Sequence, residues 1–98
     1  MRTIVFLDNI CLKVTANQVS SALNQDIIIL ELSSGKYYSL NPVGKWVWEL
    51  LQQPRTVKQI RDKILSHYDI DSKTCQDDLQ TLLADLKHAN LIEVIDRV

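Results

Sequence analysis

The sequence has few of the residues that interrupt or crosslink a chain: two glycines, two prolines and two cysteines among 98 residues. So little glycine and proline excludes a loop-rich or disordered chain, and a hydrophobic fraction of 46% is enough for an ordinary core. A chain of this length has surface for one core and not for two. We therefore expect residues 1–98 to form a single domain.

The two cysteines follow neither a metal-binding pattern nor a disulfide pattern. Cys11 and Cys75 lie far apart, without a Cys-x-x-Cys pair or a histidine at metal-ligand spacing. His67 and His88 are separated by a whole capped turn, which favours two surface histidines over a metal site. We expect reduced thiols and no metal or cofactor.

Positive charge is not in excess either, because the formal net charge is -1 and the isoelectric point is near 6.0. This balance argues against binding to a phosphate backbone. Met1–Leu7 is too short for the apolar part of a signal peptide, and no uncharged run approaches membrane length. These absences predict a cytoplasmic protein that contacts neither nucleic acid nor a membrane.

Motifs for catalysis are also missing. Gly35 and Gly44 do not form a phosphate-binding loop, since neither lies between a strand and a helix N-terminus. No Ser or Cys lies in a recognisable nucleophile setting, and no pair of active-site carboxylates is indicated. The sequence therefore predicts a binding protein with no catalytic residues.

The first half of the chain contains the signals of strands. A partly alternating segment, Ile10–Val14, predicts a first strand, with an extended segment over Thr3–Leu7 before it. The polar stretch Thr15–Gln25 carries no strong signal. Stacked β-branched residues make Asp26–Leu32 the clearest strand. After a Ser-Ser-Gly turn, Lys36–Leu40 returns as the third strand and closes a hairpin.

Three helices follow, and each has recognisable ends. Asn41-Pro42 predicts the cap and first position of a helix that ends before Pro54. The capping box Thr56–Gln59 begins the second helix. Asp71-Ser72 begins the third, whose apolar stripe runs up to the terminator Asn90.

The expected core and chain end complete the fold prediction. Trp46 is the expected anchor of the first helix, because it lies on that helix's apolar stripe. Leu91–Ile95 predicts a short final strand, and Asp96–Val98 is expected to fray. Three strands followed by three helices predict an α+β domain, with the helices on one face of a three-stranded antiparallel sheet.

One strand and one helix carry candidate binding residues. Tyr37 and Tyr38, as neighbours in a strand, point to opposite faces. If the predicted third strand is a sheet edge, its unpaired backbone groups form a template for an incoming strand. Asp78 and Asp85 lie seven residues apart and project from one side of the third helix. They are either part of a solvated face or the frame of a groove.

Several short segments occur at a spacing that is specific only when the segments are taken together. They are Gly35–Gly44, Trp48–Leu51, Pro54–Val57 with Ile60, Tyr68–Asp71, Asp78, Leu82, Leu86 and Leu91-Ile92. This joint spacing resembles the PqqD-like family, the recognition elements for precursors of ribosomally synthesised and post-translationally modified peptides (RiPPs), and the resemblance covers nearly the whole chain from about Ile10. The Gly-x-Tyr-x-x-Leu-Asn-Pro form and the stand-alone length are more similar to lasso-peptide-pathway members than to the pyrroloquinoline quinone carrier protein.

The resemblance implies a winged-helix-like fold in which a leader peptide adds a strand to the third strand and packs against the third helix. The residues that it assigns to the leader site are Tyr37, Tyr38, Ser39, Leu40, Asp78, Leu82 and Asp85. It also implies a second partner, a separately encoded leader protease or other modifying enzyme. Both a monomer and a homodimer remain open.

Two other interpretations remain open. The second and third predicted helices also resemble the helix-turn-helix of a winged-helix DNA-binding regulator. The start of the third helix, with Lys73, Thr74, Gln76, Asp77 and Asp78, offers only a mixed surface to a base edge. A general protein-interaction domain of another peptide pathway is the third possibility.

Overall fold

Two small antiparallel sheets and three helices make up residues 5–95, the part of the chain that this computed structural model describes. The strands are β1 (Cys11–Val14), β2 (Gln18–Leu23), β3 (Asp26–Glu31), β4 (Lys36–Leu40), β5 (Arg55–Thr56) and β6 (Ile92–Ile95). The helices are α1 (Pro42–Leu50), α2 (Val57–His67) and α3 (Ser72–His88). The strand orders are β2-β3-β4 in one sheet and β5-β1-β6 in the other. The predicted α+β class is confirmed.

The membership of the sheets differs from the prediction. β1 does not join the hairpin but pairs with β5 and β6, with Leu12 opposite Val94. The third strand of the hairpin sheet is β2, which lies inside Thr15–Gln25, the polar stretch that carries no strong signal. Most of its side chains are exposed, so it lacks the apolar alternation that indicates a strand. The pairing of a strand as short as β1 depends on distant contacts that local sequence does not encode.

Two expectations concern the chain ends. Residues 5–7 of the expected extended segment Thr3–Leu7 form no strand, and the segment's first two residues lie outside the described part. The expected fraying of Asp96–Val98 also lies outside the described residues. Within residues 5–95, no helix is both long and apolar enough to cross a membrane.

The predicted helix starts are confirmed by their capping hydrogen bonds. The Asn41 side chain accepts from the Gly44 N–H at 2.9 Å, with Pro42 at the first helical position of α1. Both bonds of the capping box at the start of α2 are present. Asp71 accepts from the N–H of Thr74 at 2.9 Å, and Asn90, with a φ of 61°, follows the end of α3. Each cap contributes about 1 kcal/mol to stability.

The tryptophan that anchors α1 is Trp48, and the prediction of Trp46 was wrong. Trp48 is 1% exposed, and Val47 and Leu51 are buried on the same side of the helix. Each tryptophan lies on a stripe of apolar residues at helical spacing. The stripe that is buried is shifted by one residue from the predicted stripe, which corresponds to a rotation of about 100° around the helix axis. Trp46 is half-buried at the surface, where its ring stacks on His67 with centroids 4.9 Å apart.

A buried carboxylate fixes the turn between β3 and β4. Glu31 is 2% exposed and accepts hydrogen bonds from the Ser33 N–H at 3.1 Å, the Ser34 N–H at 3.0 Å and the Ser34 hydroxyl at 2.7 Å. The Asn17 side chain, which precedes β2, donates a further bond at 2.9 Å. Gly35 closes the turn with a φ of 72°. Glu31 therefore ties the turn to all three strands of this sheet.

These bonds also perturb the ionisation of Glu31. The Ser34 hydroxyl is the main cause that lowers the pKa of Glu31 below its usual 4.5; burial opposes it, and the Ser33 and Ser34 N–H groups lower the pKa further. A carboxylate whose pKa is lower in the folded chain stabilises the fold while it is ionised. Its contribution is complete above about pH 4.5 and is lost as the pH falls through the folded-state pKa.

We expect Glu31→Gln to make the unfolding free energy less dependent on pH below 4.5, because the variant has no charge to lose. Denaturant unfolding between neutral and acidic pH measures this, with Glu93→Gln on the exposed side of β6 as the matched control. Some acid sensitivity should remain, since the pKa values of Asp8 and Asp71 are also lowered. An unchanged pH dependence in Glu31→Gln would contradict the role given to this carboxylate.

Candidate functional site

β4 is an edge strand, which meets the condition on which strand addition depended in the sequence analysis. On one side it pairs with β3, with Tyr38 opposite Ile29 and Leu40 opposite Ile27. On the other side, no strand within residues 5–95 pairs with it. Its outward backbone N–H and C=O groups are therefore available to another chain.

Helix α3 lies across from this edge, and the space between them forms two adjoining cavities of about 480 and 450 Å³. The residues that line both cavities are Ser39, Leu40, Leu82 and Asp85. The first cavity continues between α1 and the start of α3, and the second continues towards the end of α3. We call the two together the β4–α3 groove.

Six of the seven residues that the sequence assigned to the site line this groove. They are Tyr38, Ser39, Leu40, Asp78, Leu82 and Asp85. Tyr37 does not line it; its side chain is 70% exposed and lies on the other face of the sheet, where it pairs with Leu30. Strand alternation explains the difference between the two tyrosines.

The sequence interpretation missed the apolar lining that α1, α2, the loop after α2 and the first half of α3 add to the groove. Its residues are Val43, Gly44, Val47, Ile64, Ile70, Cys75 and Leu79. One signal was available for the first of these: Asn41-Pro42 starts a helix directly after β4, so the first turn of α1 must lie beside the end of the strand. The contribution of Ile64 and Ile70 requires the packing of α2 on α3, which the sequence alone does not give.

Gly44 allows α1 to lie close to β4. A Cβ added at this position would stand 3.0 Å from the Cβ of Leu40 and 3.4 Å from Oδ1 of Asn41. Cβ atoms rarely approach so closely, so a larger residue would require Leu40 to shift by a few tenths of an ångström. The glycine therefore helps to position the end of β4.

The opposite side of α3 is occupied by the N-terminal segment. The side-chain amide of Gln80 accepts from the Phe6 N–H at 2.8 Å and donates to the Phe6 carbonyl at 2.7 Å. Arg61 donates two bonds to Asp8, at 2.7 and 2.9 Å, and one to Gln76 at 3.0 Å. The hydrogen bond from Arg61 is the main cause that lowers the pKa of Asp8. These contacts hold residues 6–8 on the side of α3 that faces away from the groove.

The polar rim of the groove is acidic. Asp78 and Asp85 are exposed, and their spacing of seven positions places them about 10 Å apart along the helix axis. The salt bridges of the described residues are Lys58–Asp62, Arg61–Asp8 and Lys73–Asp77, and neither rim carboxylate takes part in them. Leu82 lies between the two, so the helix presents an apolar side chain flanked by negative charge.

The groove has no sign of a reactive centre within the described residues. Cys75 lines its floor, but burial raises the pKa of this thiol, which keeps it in the poorly nucleophilic protonated form. Among residues 5–95, no three His, Cys, Asp or Glu side chains come together as metal ligands would. A strand edge on one wall, apolar floors and an acidic rim suit an extended polypeptide segment.

Solved structures with the same fold include proteins that were determined with a peptide. TbiB1 in complex with the TbiA(beta) leader peptide is 29% identical to this chain, with a TM-score of 0.78, and the match covers 87% of this chain and 99% of TbiB1. Lasso peptide synthetase B1, complexed with the leader peptide, is 16% identical with a TM-score of 0.73, covering 84% of this chain and 96% of its own.

A third structure is the PqqD truncation of Methylobacterium extorquens PqqCD, described as a functional and stand-alone RiPP recognition element. It is 19% identical, with a TM-score of 0.72, and the match covers 90% of this chain and 94% of that one. At under 25% identity, this structure and the lasso peptide synthetase show the fold alone. They support the predicted winged-helix-like arrangement.

Sequence comparison identifies the family. No curated protein matches the chain. The family model described as coenzyme PQQ synthesis protein D (PqqD) matches residues 26–92, which extend from the start of β3 to the start of β6. This range includes both walls of the β4–α3 groove. The family resemblance inferred from the sequence is thereby confirmed, and the chain belongs to the PqqD family.

Proposed function

We propose that this protein binds the leader segment of a ribosomally synthesised precursor peptide as an added strand on β4. The observation that carries the proposal is the open edge of β4, which faces α3 across a groove long enough for an extended peptide. The leader peptides bound to TbiB1 and to lasso peptide synthetase B1 support it, because both proteins share this fold. Main-chain hydrogen bonds to β4 supply affinity for the added strand.

Selectivity for the leader comes from alternate side chains. Residues that face each other in paired strands point to the same side of the sheet. Leader residues beside Tyr38 and Leu40 therefore point into the groove. Those beside Tyr37 and Ser39 point to the other face of the sheet, so Ser39 lines the groove only where it borders the strand edge. The two cavities accept aromatic or aliphatic side chains from the first set.

The acidic rim favours a leader that is basic or polar around these apolar anchors. A lysine or arginine next to an anchor can reach Asp78 or Asp85, which have no salt bridge within the described residues. An exposed ion pair of this kind contributes roughly 0.2–1 kcal/mol, so it adjusts specificity more than affinity. The rim therefore discriminates against acidic leaders.

The chain acts as an adaptor and not as an enzyme. It holds the leader and delivers the precursor to a separately encoded leader protease or other modifying enzyme in a lasso-peptide-type pathway. We assign the cytoplasm as the place of action, since precursor peptides are made there by ribosomes and both cysteines are free. All seven residues assigned from the sequence belong to the proposed site, with Tyr37 contributing its backbone.

The described residues give no support to the DNA-binding alternative. Near the start of α3, Lys73 pairs with Asp77 at 3.0 Å, and the Thr74 hydroxyl donates to Asp71 at 2.7 Å. The chain also has a net charge of -1, which is unfavourable next to a phosphate backbone. DNA therefore serves as the control ligand.

The first test is a fluorescence anisotropy titration with a labelled leader peptide from the precursor encoded beside this protein. We expect saturable binding that a scrambled leader does not reproduce and that random-sequence duplex DNA does not compete for. Failure to bind the leader, together with salt-sensitive binding of the duplex, would contradict the proposal and favour the regulator.

The second test separates binding from folding at the groove. We expect Tyr38→Ala and Leu82→Ala to weaken leader binding about tenfold, or about 1.4 kcal/mol, because each removes a half-buried wall of the groove. The matched controls are Tyr37→Ala, whose side chain faces away from α3, and Leu32→Ala, an exposed leucine outside the groove.

Both sets of variants are compared by leader titration and by denaturant unfolding. The proposal requires the loss of affinity to exceed the loss of unfolding free energy in the two groove variants. If the unfolding free energy falls by as much as the binding free energy, Tyr38 and Leu82 act as core residues only. Equal effects of Tyr37→Ala and Tyr38→Ala would contradict the orientation given to the leader.

A further inference from the structure

The far edge of the hairpin sheet is open as well. β2 pairs with β3 on one side, and within residues 5–95 no strand pairs with its other side. Its sequence, Gln-Val-Ser-Ser-Ala-Leu, has neither charge nor proline, and its pairing with β3 runs without a bulge from Gln18 to Leu23. Natural edge strands usually carry a charge, a proline or a bulge, because a bare edge pairs with other chains. β2 has none of these protections.

The exposed face of β2 is apolar at both ends and small in the middle. Val19, Ser21 and Leu23 alternate along the face that points away from the core, and Val19 and Leu23 are 56% and 57% exposed. Two large apolar side chains at a strand edge are costly in water. They become favourable when an incoming strand provides apolar neighbours for them.

A second copy of the same strand provides such neighbours in one register. If two β2 strands pair antiparallel about a two-fold axis at Ser21, Val19 of each copy lies opposite Leu23 of the other. Ser21 then lies opposite itself, and Ser20 lies opposite Ala22. Axes at Ser20 or Ala22 would instead bring serine opposite an apolar residue on the exposed face. The edge is thus self-complementary in the way that a two-fold dimer requires.

We propose that the protein forms a homodimer by pairing of β2 with β2 about a two-fold axis at Ser21. The product is a six-stranded sheet in the order β4-β3-β2-β2-β3-β4. One β4 edge remains free at each end, so the dimer keeps two leader grooves. The assembly does not depend on the proposed leader binding, because it uses the opposite edge of the sheet.

The expected dimer is reversible. A six-residue strand is about 20 Å long and adds a neighbour at about 5 Å, which buries far less than the roughly 800 Å² per partner of a standard stable interface. We therefore expect mass-action behaviour rather than a permanent dimer. Sedimentation velocity over a wide range of concentrations, up to about 1 mM, detects association of this strength.

The mass of the wild-type protein should rise with concentration from 11.3 kDa towards twice that value. Val19→Lys should raise the dissociation constant at least about tenfold, because it puts a charge on the bare edge opposite Leu23. Val94→Lys is the matched control: it makes the same change at a valine that is 48% exposed on β6, and it should leave association unchanged.

Oxidative crosslinking tests the register. Paired residues on the two-fold axis have Cα atoms about 4.5–5.5 Å apart, within the range of a disulfide. Ser21→Cys should therefore form a covalent dimer under mild oxidation. Ser20→Cys should form much less, since its neighbour across the axis is Ala22. The wild-type protein, with Cys11 and Cys75, gives the background.

Three results would overturn the proposal. They are a mass of 11.3 kDa at every concentration, association that Val19→Lys and Val94→Lys weaken equally, and equal crosslinking of Ser20→Cys and Ser21→Cys. Far-UV circular dichroism checks that the variants fold. If Val19→Lys is unfolded, the wild-type mass and the two cysteine variants decide the matter.

Discussion

The backbone groups on the outer side of β4 have no partner strand within residues 5–95, and the surrounding structure depends on keeping this edge both fixed and open. Glu31 holds the turn before β4 through four hydrogen bonds to its carboxylate. Gly44 lets α1 approach the end of the strand. Gln80 holds the N-terminal segment on the other side of α3. An added strand would therefore meet an edge whose conformation is already ordered, which lowers the entropic cost of binding.

The two open edges of the hairpin sheet differ in their surroundings, and this difference separates their proposed roles. β4 faces α3 across apolar cavities with an acidic rim, so its partner is selected by side chains. β2 has most of its side chains in solvent and lines neither groove cavity, so a self-complementary partner suits it better. In the two proposals, the same backbone chemistry serves recognition at one edge and self-association at the other.

Local signals were strong enough to predict the parts of the fold whose cause is local. The caps at Asn41, Thr56 and Asp71, the hairpin formed by β3 and β4, and the stop at Asn90 each depend on neighbouring residues. The pairing of β1 with β6 and the formation of β2 depend on distant contacts. The wrong choice of Trp46 instead of Trp48 as the anchor of α1 has a related cause, because an apolar stripe shifted by one residue has the same helical period. For the groove, the wall formed by β4 and the wall formed by α3 were predicted from the sequence. Ile64 and Ile70 were missed, because their position depends on how α2 packs on α3.

Amide hydrogen exchange of the protein, with and without a saturating concentration of the leader peptide, tests the central claim most directly. If the leader adds a strand to β4, the outward amides of Lys36–Leu40 gain a hydrogen-bond partner and exchange more slowly, whereas the amides of Gln18–Leu23 are unaffected by the leader. Protection that leaves β4 unchanged and appears on β2 or on the exposed side of α2 would contradict strand addition at this edge.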